Sequence, residues 1–557
     1  MLQRIVFAFA LAAAAQNTRP LDAEKWWQKA VIYEVYPRSF ADSNGDGIGD
    51  IDGITQHLDY LKGLGVDAIW LTPIYPSPQV DFGYDISNYT GIDPQYGSMA
   101  DFDHLMTEAK TRNIRVVMDL VLNHTSDKHP WFVESRSSRD NPKADWYIWR
   151  DGKPNHQPPN NWQSIFGHSS WQFDAARGQY YYHDFYKEQP DLNWRNPEVR
   201  KAMYDSVRFW MKKGVAGFRL DAITTLFEDP DLRDEPILRP GLDAYNEPIL
   251  TRQYTDNLPE VHDVLRELRA ATNEYPGTVL IGETYLPNVG ELLKMYGKKN
   301  DELQLPMDTQ FGFINKLSVA DFRAKLRDAE TGLGKNIPLF VLENHDNPRS
   351  LNRYGGPHPD PALAKMLATL LLAPRCAALM YYGEELGMVN HDPKRKEDVR
   401  DPIGRIGWPK EIGRDGERTP MQWNADTDAG FSTSAQTWLP VGPDYKSVNV
   451  AAEERDPDSL LNYYKALIRL RKENPALRDG NFALVNESDD SVLAWTRTAK
   501  GQSVLVALNF TSSPRTVSFE GGTAATVLSS FAKAGSAVEL KSLTIPAYGA
   551  YVGAMSK

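Results

Sequence analysis

The chain has 557 residues, 41% of them hydrophobic and 24% charged, which is enough for a large core and for more than one domain. A formal charge of −12 argues against nucleic acid or an anionic membrane surface as the main partner. The single cysteine, Cys376, lies in an apolar run, which excludes an internal disulfide and a cysteine-based metal site.

Arg4 precedes an apolar stretch from Ile5 to Ala15, and Ala13-Ala14-Ala15 offers a small-residue cleavage site. Residues 1–15 therefore read as a secretory signal peptide, with the mature chain starting near Gln16. The stretch is too short to span a bilayer, so no membrane span is expected in the mature chain. The expected location is periplasmic or secreted, with the cytoplasm as the alternative.

From about Trp26 to Asn474, strand-like and helix-like segments alternate. Short apolar runs at Ala30–Tyr36, Ala68–Thr72, Arg115–Leu122, Gly217–Leu220, Val279–Glu283, Leu303–Pro306, Leu339–Leu342 and Ala377–Tyr382 predict buried parallel strands. Amphipathic stretches at Met99–Arg112, Pro197–Lys213, Leu258–Asn273 and Asp360–Ala373 predict helices between them. The fold class is thus α/β, a (β/α)8 TIM barrel made of residues 26–124 and 193–475.

Just after the first strand, Asp42, Asn44, Asp46, Ile48 and Asp50 place oxygen donors on alternate residues, with Gly47 at the sharp turn. These match the opening positions of a calcium loop. Gly53 stands where the full motif has a bidentate glutamate, so another ligand or water must complete the shell. The expectation is one structural Ca²⁺ (or Mg²⁺) away from the chemistry. No organic cofactor is expected.

The interval after the third strand is too long for one loop. Residues 125–192 carry dense aromatics, including Trp131, Trp146, Trp149, Trp162, Trp171 and Tyr180-Tyr181-Tyr182, and should form a small inserted domain over the barrel mouth. Asn390 to Asp428 is a second, smaller excursion. From residue 476 to 557 short alternating runs suggest a C-terminal antiparallel β-sandwich.

Four of the strand runs end in charged groups that have no place in a core. They are Val116-Val117-Met118-Asp119-Leu120-Val121-Leu122-Asn123-His124, Gly217-Phe218-Arg219-Leu220-Asp221, Val279-Leu280-Ile281-Gly282-Glu283 and Leu339-Phe340-Val341-Leu342-Glu343-Asn344-His345-Asp346. At the C-terminal face of a barrel, such groups sit where catalytic residues belong.

At these residues the chain resembles the α-amylase superfamily of retaining glycoside hydrolases. Residues 119–124, 217–222, 282–284 and 343–346 match its four signature regions in order. Asp81-Phe82-Gly83-Tyr84-Asp85-Ile86, Gln189-Pro190-Asp191-Leu192-Asn193 and Arg418-Thr419-Pro420-Met421-Gln422-Trp423 resemble the α-glucosidase and oligo-1,6-glucosidase branch. The segments Leu226–Asp229 and Leu232–Pro236 are similar to insect maltases and their bacterial relatives.

The resemblance implies roles. Asp221 is the nucleophile, kept ionised by Arg219. Glu283 is the acid and later the base, with its pKa raised by neighbouring carboxylates. Asp346 stabilises the transition state, and Asp119 supports the site. His124 and His345 would hydrogen-bond hydroxyls of the same glucose, Tyr84 would stack under its ring, and Phe185 would line the pocket. Gln189 would shape the region that accepts the leaving sugar. Asp81 and Arg418 would meet the 4-hydroxyl of the non-reducing glucose and close one end of the cleft. In this branch, alanine after the nucleophile resembles the α-1,4-preferring enzymes, and this chain has Ala222.

The expected function is therefore a retaining, exo-acting α-glucosidase that takes maltose and short malto-oligosaccharides. The alternatives with the same triad are an oligo-1,6-glucosidase, a sucrose hydrolase and a transglucosylase. A non-catalytic binding protein of this fold is a third class. It should carry a membrane anchor and lose catalytic groups, and the mature chain reads as having no anchor and a complete triad.

Overall fold

The computed structural model describes residues 25–356 and 359–556. The stretch read as a signal peptide lies outside them.

All eight expected barrel strands form: Val31–Val35, Ala68–Leu71, Arg115–Val121, Gly217–Asp221, Val279–Gly282, Leu305–Pro306, Leu339–Val341 and Ala377–Tyr381. They are parallel and pair in chain order around the sheet. A parallel bridge between Met307 and Leu339 links the sixth strand to the seventh and closes the circle. Gly217 is required where the fourth strand meets the fifth. Its φ is +146°, and a Cβ there would lie 1.9 Å from the Val279 carbonyl oxygen.

Residues alternate between the two faces of each strand, so every second one enters the barrel. Ile32, Ala68, Trp70, Val117, Val279, Ile281, Leu339, Val341, Ala377 and Leu379 pack there as a closed apolar layer. Continuing the same faces upward gives Glu34, Asp119, Arg219 and Asp221. A charged layer thus rests directly on the apolar one and floors the site.

Helices cover the outside. Pro197–Lys212 buries Val199, Met203, Val207, Trp210 and Met211, a stripe at helical spacing. Each such side chain contributes about 1.5–3 kcal/mol on burial. Asn196 caps its first turn by accepting from Glu198 N–H. Met99–Thr111 starts with a reciprocal capping box between Ser98 and Asp101.

The aromatic insert folds around a three-stranded antiparallel sheet of Trp149–Arg150, Gln179–Tyr182 and Trp171–Asp174. Its core is Ile148, Trp162, Trp171, Tyr180 and Tyr182. Bridges His124–Asp191 and Tyr147–Leu192 return the insert to the end of the third strand, which brings Gln189 beside the barrel mouth. An antiparallel hairpin, Ile237–Leu242 with Pro248–Leu250, follows the fourth strand and had no counterpart in the sequence expectations.

At the C-terminus the strands begin at Asn481, after a short helix Pro475–Asp479. A six-stranded antiparallel sheet faces the two-stranded pair Arg515–Val517 and Leu543–Ile545. Val492, Leu505, Val517, Phe519, Leu543 and Ile545 fill the space between them. Among the described residues, no helix is long and apolar enough to cross a membrane.

Candidate active site

Arg219 organises the site floor. It is fully buried, and its Nη1 donates to both oxygens of Asp119 at 3.0 and 3.1 Å and to Asp221 Oδ1 at 2.6 Å. Nη2 lies 2.8 Å from Glu283 Oε1, close enough for an ion pair but not aligned as a hydrogen bond. The guanidinium also lies over the Trp70 ring, 4.9 Å from its centroid. One guanidinium thus gathers three carboxyls, those of Asp119, Asp221 and Glu283, at the strand ends.

Glu283 is held a second way. The backbone N–H of Ala222 donates to its Oε2 at 2.7 Å. Ala222 has φ +44°, a left-handed conformation that strains β-branched side chains. The residue after Asp221 therefore also positions Glu283.

Burial pushes the Glu283 carboxyl above its ordinary range, Arg219 pulls it back, and Asp346 adds to the rise. Burial is thus the main cause, ahead of the neighbouring carboxylates the sequence reading named. Burial also raises Asp221 and brings Asp119 to about 6, with Arg219 opposing both. The cluster titrates as a unit. The short hydrogen bond from Arg219 favours the charge on Asp221, and the N–H of Ala222 favours the charge on Glu283.

Asp346 is held the other way. Burial opposes its ionisation, but Arg414, Arg418 and Arg219 outweigh it and keep this carboxyl below the usual range. Arg414 Nη1 donates to Asp346 Oδ1 at 2.7 Å, and Arg418 Nη2 donates to the same oxygen at 3.0 Å. Asp346 is the most open of the triad, with its side chain 23% exposed.

One expectation is corrected here. The partner of Asp81 is Arg414, whose Nη2 donates to Asp81 Oδ1 at 2.9 Å. Arg418 makes no contact with Asp81; its Nε donates to the His345 carbonyl and its guanidinium lies over Tyr36. Arg414 is set by Asp401, a fully buried residue that accepts from its Nε at 2.8 Å and its backbone N–H at 2.7 Å. Arg414 and Asp401 were both missed. Only their charge, in the excursion after the eighth strand, pointed to them.

Gln189 is fully buried, with Nε2 at 3.2 Å from Asp81 Oδ2 and 3.0 Å from His124 Nε2. The structure thus brings it to the Asp81 side of the site. His124 is buried, bonded to Asn123 Oδ1, and pushed down to about 3 by burial, so it is neutral. Phe185 is partly exposed and packs on His124 with centroids 5.1 Å apart. Tyr84 lies parallel to His345, tilted by 9°, and donates to Asp119 Oδ2 at 3.1 Å. Tyr285 is 50% exposed and stacks on Phe313.

The expected calcium loop folds on its own backbone. Asp42 accepts from the N–H groups of Asn44, Gly45 and Gly47, and Asp46 accepts from Ile48. Asp50 caps the next helix through Gly53 N–H and also accepts from Ser43. Among the described residues, no three acidic, histidine or cysteine groups converge as a metal cage. The donor types suit a hard cation, and carboxylate oxygens that accept from these amides keep further lone pairs for an ion.

A model of the α-amylase catalytic domain matches residues 34–480. The chain belongs to the α-amylase family. It is a glycoside hydrolase by that membership, and a model of the maltogenic amylase C-terminal domain matches residues 482–552. The chain is 44% identical over 495 residues to a probable α-glucosidase of Rhizobium meliloti, covering 87% of this chain and 89% of that one. It is 42% identical over 521 residues to an oligo-1,6-glucosidase of Parageobacillus thermoglucosidasius, covering 87% and 90%. Among solved structures it is similar to trehalulose synthase MutB of Pseudomonas mesoacidophila MX-45, with TM-score 0.86, 37% identity, and coverage of 95% and 99%. An α-glucosyl transfer enzyme, XgtA, gives TM-score 0.88 and 39% identity over 95% of this chain and 99% of that one.

Proposed function

We propose that this glycoside hydrolase is a retaining, exo-acting α-glucosidase that releases terminal glucose from maltose and short malto-oligosaccharides. The observation that carries the reading is the closed end of the pocket. Arg414 ties Asp81 to Asp346, and Gln189 ties Asp81 to His124, so a chain cannot run on past the first sugar. Asp221 attacks the anomeric carbon while Glu283 protonates the leaving oxygen. Glu283, now a carboxylate, then takes a proton from the water that releases glucose. Asp346, held ionised by its two arginines, stabilises the positive charge that develops on the sugar ring.

The small methyl of Ala222 supports α-1,4 preference, because it leaves room beside the nucleophile for the leaving glucose. A second reading, with α-1,6 cleavage or transfer within sucrose, is favoured by relatives named oligo-1,6-glucosidase and trehalulose synthase. The loop at 42–50 is part of the proposal as a structural divalent-cation site. Export to the periplasm or medium, read from residues 1–15, is likewise proposed, and mass spectrometry of the mature N-terminus checks it.

The experiment is the product pattern from maltoheptaose labelled at its reducing end. An exo-enzyme gives glucose and a labelled ladder that shortens one unit at a time. Early labelled maltose or maltotriose, produced without the intermediates, would mean internal cleavage and an open cleft.

A further inference from the structure

One buried carboxyl of the site floor has no part in the reaction as described. Ile32 of the first strand enters the apolar layer of the barrel, and Glu34, two residues on, follows on the same face. It lies in register with Trp70 on one side and Tyr381 on the other. Glu34 is fully buried, yet its Oε2 has no hydrogen-bond partner among the described residues. Core packing alone does not call for such a group, since leucine fills the same space without the desolvation cost.

The other oxygen explains it. Oε1 lies 2.6 Å from Nδ1 of His345 and 3.4 Å from the His345 backbone nitrogen. The imidazole is boxed between Tyr36 and Tyr84, at centroid distances of 5.8 and 5.4 Å, with Trp70 at its edge. Its Nε2 faces Tyr84 Oη at 2.7 Å and Asp346 Oδ2 at 3.2 Å. Tyr84 donates its proton to Asp119, so it offers His345 a lone pair, and Asp346 is a carboxylate. Both neighbours of Nε2 accept, so Nε2 carries hydrogen. The short contact at Nδ1 then requires one more proton between Glu34 and the ring. Burial pushes the carboxyl up and the imidazole down, which puts that proton on Glu34.

We propose that Glu34 is a positioning residue of this active site: it holds the His345 ring so that Nε2–H faces the glucose pocket beside Asp346. This rests on the glucosidase reading above, in which His345 meets a sugar hydroxyl.

Two variants and a cycle test it, with kcat/KM on the preferred disaccharide and the melting temperature as readouts. Glu34→Gln still presents an N–H to Nδ1 and should stay within about threefold of wild type. Glu34→Leu removes the donor and should lose roughly 10- to 100-fold in kcat/KM without a lower melting temperature. Glu34→Leu combined with His345→Ala should be no worse than His345→Ala alone, because the first acts through the second. Full activity in Glu34→Leu, or penalties that simply add, overturns the proposal. So does a loss of more than about tenfold in Glu34→Gln at unchanged melting temperature, a result that does not depend on the leucine variant folding. Unimpaired turnover in His345→Ala would remove the sugar-binding role of His345, and with it both readings. Impaired His345→Ala beside unimpaired Glu34→Leu would remove only the role of Glu34.

Discussion

Replacing Arg414 by alanine is the most informative single perturbation of the pocket. The side chain forks between three carboxylates: Asp81 at 2.9 Å, Asp346 at 2.7 Å and Asp401 at 2.8 Å. Asp401 is held near 2 because burial, which opposes ionisation, is overcome by Arg414 and Arg418. Removing one partner of a buried pair costs about 3–5 kcal/mol, since the charges left behind lie out of water. If about 3 kcal/mol of that is felt in the transition state, kcat/KM falls by roughly two orders of magnitude. The pH profile gives a signed check. Asp346 must be ionised to act and Arg414 helps depress its pKa, so the variant should lose activity at a higher pH than wild type as pH falls. The assay is kcat/KM on maltose and on maltoheptaose across pH, with melting temperature in parallel. Activity within about threefold of wild type, with an unmoved acid limb, would refute the argument that Arg414 closes and charges this end. The same result for Arg418→Ala would not, since Arg418 does not touch Asp81.

Four further outcomes follow. Asp221→Asn and Glu283→Gln should each abolish turnover while leaving the melting temperature close to wild type; near-normal rates in either would reassign that residue. In wild type, Glu283 must be protonated to act first as acid, and its pKa is raised, so the basic limb of kcat/KM should lie above the usual glutamate range. Ala222→Val should lower maltose cleavage more than isomaltose cleavage, and should also slow both. A branched side chain at φ +44° costs about 1–3 kcal/mol and disturbs the N–H that holds Glu283. Calcium should raise the melting temperature, by about 2.7 kcal/mol of stability at a hundredfold excess over Kd. Asp46→Ala should remove that response, and an unchanged melting curve with and without a chelator would remove the ion.

Much of this was legible in the chain because strands write their own signal. Each barrel strand is a short, mostly apolar run, and those that carry chemistry break the apolar pattern at the strand end, as at Asp221 and Glu283. Glu34 breaks the same pattern inside Val-Ile-Tyr-Glu-Val, so the signal was present but sat one layer below the strand end. Loops carry no period. Arg414 and Arg418 are four residues apart in one irregular excursion, and only the fold shows which guanidinium turns to Asp81. The contacts of Gln189 were illegible for the same reason: the insert leaves the barrel for more than sixty residues and its return path is set by bridges, not by spacing. The alternating acids at 42–50 show how one pattern serves two ends, since the oxygens that could ligate an ion are the ones that fold the loop through backbone amides.

The central claim is a retaining glucosidase with a closed glucose pocket. It is tested most directly by supplying equal concentrations of maltose, isomaltose, sucrose and trehalose and following the anomers released by proton NMR. The account predicts that maltose is consumed fastest and that glucose from its non-reducing end appears first as the α-anomer. β-Glucose appearing first would contradict the close Asp221–Glu283 pair as the reacting groups. Isomaltose or sucrose consumed first would keep the mechanism and overturn the role given to Ala222.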